Sequence, residues 1–290
     1  MWMHRARPLV ALIASSSLAL AAAAACSSFG EDASPADAAA PAPALDGASP
    51  DAAPPLDAAI DAACPSFATF CDDFEVGDLR RWGGAPNIVP PSAFAVDDGG
   101  PPHRGGYALH FTTQESKVDG AVVYSSASIR SRPFPAPVAA GTIAVRFYVL
   151  GPTIPSTGTT LVWLTKGTND EAEAILMTSY GQWAASALAG SLGAGTNATS
   201  AVTFAPARWI CAEWVVDVGT SGRQQLFIDG GVEAVLTQEM DTIGDLTQGY
   251  QYASIYMNNQ GPATQELFFD DVAVAVLPTR ADGPRIGCIP

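Results

Sequence analysis

The chain has 290 residues, with 14 Lys and Arg against 29 Asp and Glu, and a formal net charge of −15. So acidic a chain, with no basic run, argues against nucleic acid or an anionic membrane surface as its partner. A hydrophobic content of 48% leaves enough apolar surface for one large core.

The chain opens with MWMHRARPLVALIASSSLALAAAAAC, in which Arg5 and Arg7 precede an apolar stretch and a run of small residues ending at Cys26. This is the pattern of a secretory signal, and its end is too short and too Ala-rich for a membrane span. It resembles a bacterial lipoprotein signal, in which Cys26 becomes the acylated first residue of the mature protein. Ala24 and Ala25 fit that pattern, whereas Ala23 stands where such signals usually have Leu. An ordinary signal peptide cleaved at an Ala-x-Ala site is the alternative. Ser27 follows the cysteine in place of the Asp of an inner-membrane retention signal, so the expected destination is the outer membrane or the cell surface.

Residues 26–63 follow as a tether made almost wholly of Ala, Pro, Ser, Gly, Asp and Glu, without Lys or Arg. Such a segment buries too little apolar surface to offset its conformational entropy, and its prolines block a continuous helix. Removing the signal also removes two arginines, leaving 12 basic residues against 29 acidic ones. Beyond Cys26 the cysteines number four, Cys64, Cys71, Cys211 and Cys288, an even set in a chain bound for an oxidising compartment. No CxxC pair supports a zinc site. Of the three possible connectivities, Cys64 with Cys71 and Cys211 with Cys288 is preferred, because the first pair closes a short loop.

From residue 64 to 290 helical periodicity is scarce. Short β-rich runs alternate with Gly, Pro, Asn and Ser clusters, the pattern of an all-β antiparallel sandwich. GTIAVRFYVL places Ile143, Val145, Phe147 and Val149 on one face, with Arg146 and Tyr148 on the other. TTLVWLTKG is a near-continuous apolar run. RWICAEWVVDVG groups Ile210, Ala212, Trp214 and Val216 away from Glu213 and Asp217. RQQLFIDGGVEAV predicts a tight hairpin at Asp229, Gly230 and Gly231, where glycine permits positive φ. YQYASIYMNN and ELFFDDVAVAVL supply two further strands.

Two phrases match across the length of this region: FCDDFE at 70–75 and FFDDVAV at 268–274. With FCDDFEVGDLRRW, RWICAEWVVD, LFIDGG and LFFDDVAVAV in that order, residues 70–277 resemble the concanavalin A-like jelly roll, including laminin G-like and β-glucanase domains. The resemblance implies that the first and last strands lie close in one sheet. It also implies a structural Ca²⁺ held by Asp73 and Asp270, with backbone near Gly77 as a further ligand. A hard cation offsets the repulsion of clustered carboxylates. The alternative is that these aspartates point to water at strand ends.

Several patterns bear on function. Alternation sets Tyr250, Tyr252, Ser254, Tyr256 and Asn258 on one strand face, with Ala253, Ile255 and Met257 turned inward. Flat rings with hydroxyl handles suit the mixed surface of a sugar, and Arg146 and Tyr148 show the same outward chemistry. The expectation is a carbohydrate-binding domain on a cell-surface lipoprotein; an adhesive module that binds protein, or a glycan-cleaving hydrolase or lyase, are the alternatives. Glu171 and Glu173 are the nearest approach to a glycosidase pair, but Ala172 stands where the β-glucanase motif has Asp. YQYASIYMNNQ faintly resembles the tyrosine-rich strand of jelly-roll alginate lyases, without the accompanying Gln-x-His strand. His110 reads as structural, and Asn197 of NAT as a polar loop. No complete catalytic motif and no catalytic cofactor is expected.

Overall fold

The computed structural model describes residues 64–98, 100–114, 116–118, 121–123, 125–155, 158–166, 172–187, 196–243, 249–259, 263–277 and 285–289. All of them fall within the compact unit Ala53–Pro290. Their regular structure is entirely β, in two antiparallel sheets.

Sheet A runs in the order β15 (Leu236–Met240), β14 (Gly222–Ile228), β13 (Ile210–Val218), β8 (Gly141–Leu150), β17 (Gln265–Leu277), β4 (Ala108–Thr113) and β3 (Ala93–Asp97), with β1 (Phe70–Asp72) also on β17. Sheet B runs β12 (Thr196–Thr203), β11 (Gln182–Ala187), β10 (Ala172–Ser179), β9 (Thr159–Thr165), β16 (Tyr252–Asn259), β7 (Ser125–Arg130) and β2 (Asn87–Val89). A small hairpin, β5 (Ser116–Val118) with β6 (Ala121–Val123), stands apart.

The core follows the strand period of two. Ile143, Val145, Phe147 and Val149 of β8 meet Ala212, Trp214 and Val216 of β13 in one cluster with Val162, Leu164, Ala253, Ile255 and Met257 of sheet B. Within this layer Trp214 Nε1 donates to Gln224 Oε1 at 3.1 Å, and Gln224 Nε2 donates to the Ser186 carbonyl at 3.0 Å. The expected tight hairpin at 229–231 is a wider loop, since Leu226 pairs with Leu236 and Val235 N–H donates to the Leu226 carbonyl. Asp229 and Gly230 do take positive φ, 51° and 72°.

The first and last of the described strands meet as expected. Phe70 faces Val274, Cys71 faces Ala273 and Asp72 faces Val272. Strand β17 pairs with β4 through Phe269, then slips register between Asp270 and Ala273 against β8, and β1 takes over the vacated edge. Asp271 sits at that bulge with φ 48°. Such bulges re-aim side chains. Both disulfides form the preferred pairs, Cys64–Cys71 and Cys211–Cys288.

The face of sheet A away from the core is covered as well. Residues 285–289 lie across it: Arg285 Nε donates to Glu213 Oε2 at 2.8 Å, and the Ile286 and Gly287 N–H groups donate to the same carboxylate. Ala144, Val215 and Phe227 pack beneath Ile286 as a second small core. Every residue of β8 is therefore buried.

Candidate functional site

The outer face of sheet B carries an aromatic and polar group built from three strands. On β16, Tyr252, Ser254 and Tyr256 point away from the core, as their alternation with the buried Ala253, Ile255 and Met257 requires. Ser254 faces Trp163 of β9 and Arg130 of β7, while Tyr252 faces Thr165. That register sets Trp163 diagonal to Tyr256, and their rings stack at 3.8 Å between centroids and 16° between planes. On the other side the Arg130 guanidinium lies 4.9 Å over the Tyr252 ring. All four of these large side chains are half-buried.

Between the rings lie three hydrogen-bonding groups with no partner among the described residues: Trp163 Nε1, Ser254 Oγ and Thr165 Oγ1. Ser254 and Thr165 are 3% and 0% exposed. A buried donor or hydroxyl left unpaired costs about 1–3 kcal/mol, so a cluster of them beside half-buried rings marks a place where polar atoms of a ligand are expected.

Of the residues expected to bind sugar, three do not stand on this face: Tyr250, expected beside Tyr252, and Arg146 and Tyr148, expected to face outward on another strand. Tyr250 precedes β16, bridges to Val138, and is 0% exposed, with its hydroxyl donating to the Thr242 carbonyl. Arg146 and Tyr148 belong to the other sheet and lie beneath residues 285–289. Arg146 donates to the Asp271 and Gly287 carbonyls, and burial pushes its guanidinium below its ordinary pKa. Tyr148 exchanges hydrogen bonds with the Ile289 backbone, and burial pushes its hydroxyl up. Alternation assigned their side of β8 correctly; the strap over that side comes from far along the chain. Asn258 does sit on the sheet B face, where its Oδ1 accepts the Thr160 N–H at 3.0 Å. Trp163 went unnoticed in the sequence because its apolar run hides the alternation, which an irregularity between β9 and β10 also interrupts.

The matched acidic phrases grip one loop from both ends of the chain. Glu75 accepts the N–H groups of Gly106 and Tyr107, at 2.9–3.1 Å. A Cβ at Gly105 would fall 2.1 Å from the Glu75 carboxylate, so only glycine admits this contact. Asp270 Oδ2 accepts the N–H groups of His103 and Arg104, at 2.9 and 3.2 Å, and its Oδ1 accepts that of Asp271. Asp271 Oδ2 lies 2.8 Å from His103 Nδ1. Burial first, and then the Asp271 charge, push Asp270 up from 3.8 to about 8. Asp72 accepts Trp82 Nε1 at 2.7 Å and the Phe74 N–H at 3.0 Å, and burial pushes it up to about 6.

This geometry does not fit a Ca²⁺ shared by Asp73, Gly77 and Asp270. The oxygens of Asp270 face N–H donors, where a cation needs bare lone pairs. Asp73 Oδ1 accepts the Glu75 N–H and lies 3.7 Å from Arg81. No cluster of three or more His, Cys, Asp or Glu suited to a metal occurs among the described residues. Nor do Asp72, Asp270 and Asp271 point to water, being 0–1% exposed.

His110 is held between Asp97 and Glu266, at 3.3 and 2.7 Å, and stacks on Phe268. Cys26, the tether, Glu171 and the side chains of Glu173 and Asn197 lie outside the described residues.

No family model matches the chain, and no curated protein matches it either. Solved structures do. A crystal structure of an endo-β-1,4-glucuronan lyase from the fungus Trichoderma reesei superposes with a TM-score of 0.58 at 12% identity, covering 74% of this chain and all of that one. The cellulose-induced protein Cip1 superposes at 0.50 and 13% identity, over 74% of this chain and 99% of its own. The fold is a jelly-roll sandwich. At these identities the likeness extends to the fold and no further.

Proposed function

We propose that the jelly roll binds carbohydrate through the outer face of sheet B. The observation that carries this is the Trp163–Tyr256 stack beside the Arg130-capped Tyr252, with three buried polar groups among the rings that have no partner among the described residues. Aromatic faces take the apolar face of a pyranose, and the embedded hydroxyls and indole N–H take its hydroxyl groups. The fold neighbours add support, one being named a glucuronan lyase and the other a cellulose-induced protein. Export on a lipid anchor at Cys26, with residues 27–63 as spacer, would set such a domain against extracellular polysaccharide. Binding is favoured over cleavage by a histidine base, because His103 and His110 both sit on the sheet A side.

The test is retention of the purified domain on immobilised polysaccharides, with Trp163→Ala and Tyr252→Ala as variants. Both should lose at least tenfold in affinity while melting within a few degrees of wild type. Retained stability with no glycan affinity in any variant or wild type shifts the reading to protein adhesion. Release of new reducing or unsaturated ends shifts it to an enzyme.

A further inference from the structure

A pocket of about 340 Å³ opens at the end of sheet A, where Tyr148 of β8 and Cys211 of β13 meet the turn after β14. Its walls are His103, Tyr148, Trp209, Asp229 and the Cys211–Cys288 disulfide. It lies on the opposite sheet from the face described above and shares none of its residues.

Each wall is fixed from behind. The His103 ring stacks on Tyr148 at 3.6 Å, with Nδ1 against Asp271. Tyr148 is locked to Ile289 through both the donor and the acceptor capacity of its hydroxyl. Trp209 Nε1 donates to the Pro101 carbonyl at 3.0 Å, and its ring meets His103 edge-on. Asp229 exchanges hydrogen bonds with Cys211 through its N–H and Oδ1, at 2.8 and 3.1 Å. A ligand entering such a pocket orders almost nothing further, which removes much of the usual entropic cost of binding.

The groups left facing inward define the ligand. His103 Nδ1 is engaged by Asp271 Oδ2 at 2.8 Å, which leaves Nε2, an acceptor whenever Nδ1 carries the ring's single proton. Asp229 Oδ2 is a second acceptor, paired at the rim with Arg208 at 2.9 Å. The ligand must therefore bring donors. An anion is disfavoured by Asp229, by Asp271 behind the histidine and by the chain's net charge. The indole wall calls for a flat ligand with an apolar face. Hydroxyl donors around a ring with a C–H face describe a sugar, and the volume lies at the small end of ligand pockets. We propose that this pocket binds a single neutral sugar residue, independently of the extended face on sheet B.

The experiment uses the intact domain and the methyl glycosides of glucose, galactose, mannose and xylose, read by saturation-transfer NMR and indole fluorescence. At least one glycoside should bind. Trp209→Ala should weaken it at least tenfold, and Tyr252→Ala should leave it unchanged. Asp229→Asn is the second variant: it keeps the Cys211 bond, tolerates positive φ and loses the rim acceptor, so it should weaken binding severalfold with an unchanged melt. Silence from all four glycosides, binding that survives both pocket variants, or binding lost in Tyr252→Ala overturns the proposal. So does competition by tetramethylammonium, which marks a cation cage. Polysaccharide retention by Trp209→Ala tests the sheet B face separately, so either site can fail alone.

Discussion

Replacing Asp270 by asparagine changes the pH dependence of stability in a direction the structure fixes. In the fold this carboxyl is pushed up from 3.8 to about 8, chiefly by burial and then by Asp271. A raised folded pKa means that the native state holds its proton more tightly than the unfolded chain. The resulting stability is complete below the unfolded value and is lost as pH rises through about 8. The full rise corresponds to at most roughly 6 kcal/mol. The three N–H donors on Asp270 favour the charged form and already hold its pKa down to about 8. Relaxation and water entry around a buried carboxylate soften the remaining cost, so about 2 kcal/mol is expected between about pH 5 and pH 9. The Asp270→Asn side chain would retain one oxygen for the His103 and Arg104 N–H groups but would turn its NH₂ toward the Asp271 N–H, costing about 1 kcal/mol at every pH. The variant should therefore melt lower than wild type at pH 5 and overtake it toward pH 9. For a domain of this size about 2 kcal/mol is roughly 4–8 °C. Thermal melts followed by far-ultraviolet circular dichroism across that range decide it. Parallel curves, with the same pH slope in both proteins, refute a titrating Asp270.

Cys288→Ser should cost about 4 kcal/mol, because the Cys211–Cys288 bridge spans 77 residues and ties down the segment that buries Glu213 and Arg146; chemical denaturation of the oxidised variant measures it. A calcium chelator should leave the melt within about 1 °C, since Asp270 is occupied by N–H donors, and a fall of several degrees would restore the shared-calcium expectation. Asp72→Ala should cost about 2 kcal/mol or more, by leaving Trp82 Nε1 and the Phe74 N–H unpaired in the core. Labelled fatty acid should enter the wild-type precursor and not Cys26→Ser; equal labelling removes the anchor from the proposal.

What the sequence disclosed was whatever rests on local period. The inward rows of β8 and β13 were legible because one face of each strand is uniformly apolar. The meeting of the two acidic phrases was legible through the resemblance. The cover over Arg146, Tyr148 and Glu213 was not, because alternation reports which side a residue faces and not what lies on that side. Tyr250 was misplaced for a related reason: the strand starts two residues later, and a bridge to Val138 turns its ring into the core. Trp163 and Arg130 join the site only through pairing across β9, β16 and β7, which no single-strand pattern encodes.

Among the described residues strand β17 is the last in chain order, yet it lies in the middle of sheet A. Until Gln265–Leu277 arrives, β8 on one side and β4, β3 and β1 on the other have no edge to share, and the half-sheets expose ladders of open N–H and C=O groups. A nascent chain that stops short of β17 thus cannot be a smaller version of this domain. It is two unjoined edges prone to pairing with other chains. Folding must wait until β17 has been made, and for a chain exported as proposed that places it on the far side of the membrane. Truncation from the C-terminus should accordingly be all-or-none, with aggregation setting in as soon as the cut reaches β17.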